Sequence, residues 1–469
     1  MDILELEAVD LSVRMADGDL SAVEVMTACL TQVEAANGAV NALVSLRDRD
    51  SLMAEARAAD AAPRKGWLHG IPVAVKDLAN VAGLPTTMGS PAFADFTPKA
   101  DDLVVARMRD AGAIFIGKTN TPEFGLGSHT VNPVHGATCN PYDNSRSAGG
   151  SSGGAAAALA TRMQWVCDGS DMMGSLRNPA GWNNVYGFRP SWGLVPPDPV
   201  GDVYLHNLAT LGPMARSVRD IAALLDTQAG SDPRLPFSHD AGPFTGALDA
   251  DVKGWRIGWL GDWGGAYPME QDVLPHCEAA LKTFENMGCT VEHLPPPMPA
   301  ADLWQSWVDL RAFANAARLQ PLYDIPEKCA ELPTQAIWEI KRGMALSAMD
   351  VQRASAIRSR WYARTQELFR DYDALILPTA QVWPFPLDWH HPTEIAGRKM
   401  DSYHRWMEVV IPASLIGLPT LGVPAGFGAN GLPMGLQIMG RYKNDLHVLQ
   451  LGQAWHHATG WPQRKPPQV

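Results

Sequence analysis

Apolar and polar positions along the first sixty residues follow a helical period. Ser21 and Glu24 form an S-x-x-E capping signature, and Val23, Met26, Leu30 and Val33 then recur at helical spacing. Asn37-Gly38 predicts the end of that helix, as a left-handed cap would. From Gly70 to Asp77 the period changes. Ile71, Val73, Ala74 and Val75 make a short apolar, β-branched run that reads as a buried strand, with Lys76 at its end. Asp102 to Ala111 is amphipathic with helical spacing, and Ala113 to Ile116 reads as the next strand. Strand and helix alternate, which predicts an α/β layered fold around a large, mixed, mostly parallel sheet sandwiched between helices. Trp165 to Gly193 reads as loop-dense, and strand signals restart at Trp255-Arg256-Ile257-Gly258. Neither an internal repeat nor a long low-complexity linker interrupts the chain. One large domain over residues 1–469 is expected, with a more variable region at about 264–400.

Composition narrows the class. Of 469 residues, 46% are apolar and 19% charged, as in a globular enzyme. The net charge of −12 argues against a nucleic-acid or anionic-membrane partner. Six scattered cysteines without a CxxC pair read as free thiols of a reducing compartment. The N-terminal sequence MDILELEAVDLSVRM has no basic segment leading into an apolar run, so no secretory signal is expected. No apolar stretch has membrane-spanning length, and the expected location is cytoplasmic.

Two formal motif matches do not fit their context. Gly112 to Thr119, GAIFIGKT, satisfies the phosphate-loop pattern, but Ala, Ile, Phe and Ile belong in a buried strand, not in an exposed cradle of N–H groups. Gly149 to Gly153, GGSSG, satisfies the nucleophile-elbow pattern. What precedes it, Asn140 to Arg146, reads as turn chemistry, not as the strand an elbow requires. The adjacent pairs His390-His391 and His456-His457 do not share a helix face and read as solvated or packing histidines; no metal site is expected.

Three other features point together: Lys76 at the end of an apolar strand, a Gly/Ser loop that opens an alanine-rich helix, and Ser175 after a glycine beyond an acidic turn. In combination and order, GIPVAVKD, AGGSSGG and GSDMMGSLRNPA resemble the lysine motif, the Gly/Ser loop and the nucleophile motif of the amidase signature family. The likeness extends through Gly83 to Thr87, Gly117 to Asn120, Thr210 to Arg216 and Gly417 to Pro419.

The resemblance implies an amide hydrolase in which Ser175 attacks the carbonyl, Ser151 relays the proton and Lys76 is the base. It implies a cis peptide between Gly150 and Ser151. It also implies an oxyanion hole from the backbone N–H groups of Met172, Met173, Gly174 and Ser175. Lysine is ordinarily protonated at neutral pH, so burial must lower its pKa for that role. Neither a metal nor an organic cofactor is implied. Asp171 and Arg177 are expected to brace the loops.

Fold and triad do not fix the substrate. The expected partner is a small-molecule amide or carbamate, with apolar or aryl amides favoured; esters are a further alternative. A homodimer is the one assembly considered. Trp304, Trp307, Trp338, Trp361, Trp383, Trp389 and Trp406 fall in or beside the variable region and suggest an aromatic-walled pocket, against the alternative of ordinary core. The glutamine-hydrolysing member of a tRNA-dependent amidotransferase resembles the C-terminal segment too, but carries an acidic residue where Met407 stands here, with Glu408 beside it. The family's usual G-S-D-T-G-G-S has methionine at both 172 and 173. The expectation is a negative φ at 173 and a Met173 side chain that walls the pocket.

Overall fold

The capping signature forms as expected in the computed structural model, which describes residues 2–468. Ser21 Oγ accepts the Glu24 N–H at 3.1 Å, and the Glu24 carboxylate accepts the Ser21 N–H at 2.8 Å. Helix α1, Ala22–Val40, runs past Asn37-Gly38 and ends at Asn41, which holds the left-handed conformation at φ 49°. Asn37 is not the cap. Its side-chain Oδ1 accepts the N–H groups of Ala42 and Leu43, so it fastens the exit of the helix to the following chain. A residue with this chemistry one turn early explains why the sequence signal stops short.

The change of period at Gly70 marks a strand. β1 (Leu43–Val44), β2 (Pro72–Lys76) and β3 (Ile114–Thr119) make a small sheet in the order β1-β3-β2, with helix α2 (Leu103–Asp110) leading into β3. All six residues of β3 are buried, including Lys118 and Thr119, so GAIFIGKT is a core strand and not a phosphate loop. Asp143–Ser147 pairs with Cys139–Asn140 as a short hairpin. This corrects the turn reading, although the hairpin is separate from the main sheet.

Helix α3 (Gly153–Ala160) follows the Gly/Ser loop. The stretch read as loop-dense is ordered as strand β4 (Val166–Asp171), a tight turn, helix α4 (Arg177–Trp182) and strand β5 (Tyr186–Arg189). With β6 (Thr210–Ala215), β7 (Arg256–Trp259), β8 (Thr290–His293), β9 (Ala374–Pro378), β10 (Thr420–Phe427) and β11 (Pro433–Met439), these strands form an eight-stranded sheet in the order β8-β7-β9-β11-β10-β5-β6-β4. The sheet is mixed, as expected, and α4 packs on β5, β10 and β11. It is not mostly parallel. β7 pairs in parallel with β8 and β9, whereas the other five pairings are antiparallel. One of the five follows from local connection: β10 and β11 are joined by a short loop containing Asn430-Gly431, and such a link can only return the chain antiparallel.

The edge strand β4 meets β2 of the small sheet through side chains. Gln164 Oε1, just before β4, accepts the Ala74 N–H at 2.7 Å, and Asp168 Oδ1 accepts the Lys76 N–H at 2.9 Å. This seam sets Lys76 beside the turn after β4. The variable region contributes helices α5 (Ala300–Tyr323), α6 (Thr334–Ala345) and α7 (Ala348–Asp371), the latter two packing on α5.

Candidate active site

The side chain of Lys76 leaves the end of β2 into a pocket of hydroxyls. Its Nζ lies 2.8 Å from Ser151 Oγ, 2.8 Å from Ser152 Oγ and 3.0 Å from Ser170 Oγ. Lys76 is 1% exposed, and this burial pushes its pKa down to about 7 against the opposing pull of Asp168 and Asp171. A neutral amine keeps two N–H bonds and one lone pair, so one of these hydroxyls can donate to it.

The loop before α3 carries Ser151 and Ser152, and the peptide bond between Gly150 and Ser151 is cis. The loop packs tightly: a Cβ on Gly154 would fall 2.3 Å from the Asn120 nitrogen, so only glycine fits there. Ser152 N–H donates to the Ser175 carbonyl at 3.2 Å, tying this loop to the turn after β4. Ser151, Ser170 and Ser175 all line one cavity of about 560 Å³. Ser152, Ser170 and Asp168 carry no signal of their own in the sequence. Asp168 and Ser170 are two apart on a strand and therefore share a face, and both meet Lys76. Reading 166–171 as a strand would have revealed them.

The turn after β4 is built around Asp171. Its carboxylate accepts from Arg177 Nε and Nη2 at 3.0 Å each and from Arg189 Nη1 at 3.1 Å, with all three side chains fully buried. Burial opposes the Asp171 charge, yet Arg177 and Arg189 outweigh it and hold the carboxyl well below the usual range. Asp171 and Arg177 brace the turn, as expected. The same carboxylate accepts the Gly174 N–H at 2.9 Å and the Leu176 N–H at 3.1 Å. Gly174 is therefore not a free oxyanion donor, and the expected set of four narrows to Met172, Met173 and Ser175. Their N–H groups have no partner within the chain among the described residues. The positive φ of the turn, +80°, belongs to Gly174, and Met173 stays at negative φ.

The amidase family model matches residues 24–449. The chain belongs to the amidase signature family. It is 34% identical to an acylamidase of Rhodococcus erythropolis over 98% of this chain and 97% of that one. It is 36% identical to the A subunit of the glutamyl-tRNA(Gln) amidotransferase of Thermus thermophilus over 98% of each. Among solved structures it superposes on a bacterial aryl acylamidase with a TM-score of 0.91, at 28% identity and 99% coverage of both chains.

The cavity of this amidase is walled by Leu78, Phe124, Leu126, Met172, Met173 and Met407 rather than by tryptophan. None of the seven tryptophans of the variable region lines it. Trp304, Trp307, Trp361, Trp383 and Trp406 are buried core, and Trp389 is largely exposed. Met173 is 3% exposed and lies at the wall, as expected. Met172 turns its sulfur to Arg311, whose Nη1 lies 3.2 Å away. Arg311 itself is pinned by Glu339 Oε1 at 2.7 Å and by the Tyr403 hydroxyl at 2.8 Å. Met407 faces the cavity, whereas its neighbour Glu408 is buried elsewhere and pairs with Arg405 at 3.0 Å.

Proposed function

We propose that this amidase cleaves linear carboxamides with an apolar or aryl substituent through an acyl-enzyme on Ser175. Neutral Lys76 draws a proton from Ser151, and Ser151 takes one from Ser175 as the Ser175 oxygen bonds to the carbonyl carbon. The negative charge on the carbonyl oxygen is met by the N–H groups of Met172, Met173 and Ser175. The proton then returns along the same path to the leaving nitrogen as the C–N bond breaks. Water repeats the cycle on the acyl-enzyme and frees the acid. The observation that carries this reading is the 2.8 Å contact from a buried, pKa-lowered lysine to Ser151, at the cavity that Ser175 also lines.

The acyl-transfer steps would serve a carbamate or an ester equally, and leaving-group preference separates them. Glutamine suits the cavity less well. Its ammonium needs a carboxylate partner, and methionine stands at 407 with the adjacent Glu408 held by Arg405. The amide named for the Rhodococcus erythropolis relative, an acylamide, agrees with the apolar walls. The test is a panel of acyl anilides, aliphatic amides, glutamine, aryl carbamates and esters. Acyl anilides should give the highest kcat/KM among the amides, with glutamine near background. Glutamine as the best amide would overturn the proposal.

A further inference from the structure

One face of helix α5 supplies the cavity with polar groups that the proton relay does not use. Arg311, Asn315 and Arg318 recur at i, i+4 and i+7, and all three line the cavity. Arg311 is already matched by the Glu339 carboxylate and Tyr403. Asn315 is 1% exposed, and its Nδ2 has no hydrogen-bond partner among the described residues. Arg318 has no carboxylate within ion-pair distance among the described residues; its one hydrogen bond runs from Nη2 to the Phe124 carbonyl at 3.1 Å. Arg318 is exposed to solvent; the surrounding protein and the neighbouring Arg311 charge press its pKa down, while Tyr403 and Glu339 pull it the other way. Both hold for a guanidinium on the solvent-open side of the cavity wall. The one carboxylate of the lining, Asp202, accepts the Leu205 N–H of its own loop at 2.8 Å. A chain with a net charge of −12 thus presents at its cavity a cation with no ion-pair partner among the described residues.

We propose that Arg318, with Asn315 one turn before it, binds a carboxylate carried by the substrate away from the scissile amide. The favoured substrates are then amides whose apolar acyl or aryl body ends in a carboxylate. This rests on the amidase reading above and names the substrate class within it. A guanidinium matches a carboxylate in geometry and charge, and the Asn315 carboxamide adds a donor when it is turned with its Nδ2 toward the cavity. The apolar wall formed by Leu126, Met173 and Met407 holds the body between the two ends.

The test uses the full chain and two matched pairs of anilides. In one pair the acyl chain ends in a carboxylate or in its neutral isostere, a methyl ketone. In the other the aniline ring carries a carboxylate or an acetyl group. In at least one pair the carboxylate should be favoured in kcat/KM by about tenfold or more, the scale of a hydrogen bond to a charged group. Arg318→Gln should bring that ratio to about one by lowering the carboxylate member's kcat/KM at least about tenfold more than the neutral member's, and Arg318→Lys should restore part of it. A ratio of one in the wild type for both pairs, or the same ratio in Arg318→Gln, would overturn the proposal. So would an equal loss on both members of a pair, which would make Arg318 a brace for the Phe124 loop. If neither member of either pair is hydrolysed, the amidase reading itself is at fault, and this inference falls with it.

Discussion

Lys76 has two properties that seldom coincide: it is buried, and no carboxylate lies within ion-pair distance of its Nζ among the described residues. Burial drives its pKa to about 7, so the neutral base is half-populated there and dominant above. The sign for activity follows. Only neutral Lys76 accepts a proton, so kcat/KM for an anilide should fall about tenfold per pH unit below about 7 and level off above it. A pH–rate profile checks this; a rate that holds steady down to pH 5 would remove Lys76 as the base. Met173 was legible as a departure from a familiar motif, and its place at the cavity wall gives it a measurable effect. Met173→Gly should raise kcat/KM for a bulky amide relative to a small one, by about ten- to two-hundredfold, the scale of one apolar contact. The ratio of the two constants in both proteins is the measurement. An unchanged ratio would place the Met173 side chain outside the substrate's reach. Ser152 and Ser170 are not legible in the sequence because serine beside glycine is the ordinary content of a loop. Only the fold turns their hydroxyls to Lys76.

The unit of strand β4, turn and helix α4 organises the site, and its stability rests on Asp171. Two arginines and two backbone N–H groups converge on one buried carboxylate. Removing its charge leaves Arg177 and Arg189 buried without a counter-ion. Asp171→Asn should therefore destabilise the protein by about 3–5 kcal/mol, read as a lower urea midpoint, and should slow turnover by loosening the turn. A variant as stable and as active as the wild type would show that the arginines are satisfied without it. The sequence made this element hard to see. Val166 to Asp171 contains glycine, serine and two aspartates, which carry turn signals, and its strand character comes from pairing with β6. By contrast β2 and β3 were plain, because buried strands with β-branched residues keep their signal in isolation. The exit of α1 falls between these cases: the cap chemistry at Asn37 was visible, but not that it acts across the helix end on Ala42 and Leu43.

Across the whole chain, alternation of strand and helix predicted the α/β class and a large mixed sheet, and both are present. The direction of most pairings was not legible from the alternation seen near the N-terminus, since β4 to β6 and the β10–β11 hairpin return antiparallel. Asn430-Gly431 between two apolar runs was the available signal for the latter. The tryptophan-rich region looked like a binding surface because aromatic residues serve cores and pockets alike; here five of the seven fill the core and methionine takes the wall. The fold brings the seam between the two sheets, the Gly/Ser loop and the β4 turn to one cavity, and the central claim is that Ser175 is the nucleophile there. The direct measurement is the site of modification by a fluorophosphonate, mapped by mass spectrometry of the digested protein. The expected result is a single adduct on Ser175 with parallel loss of anilide hydrolysis, and no adduct in Ser175→Ala. An adduct on Ser151, Ser152 or Ser170 with the same loss of activity, or full activity in Ser175→Ala, would contradict it.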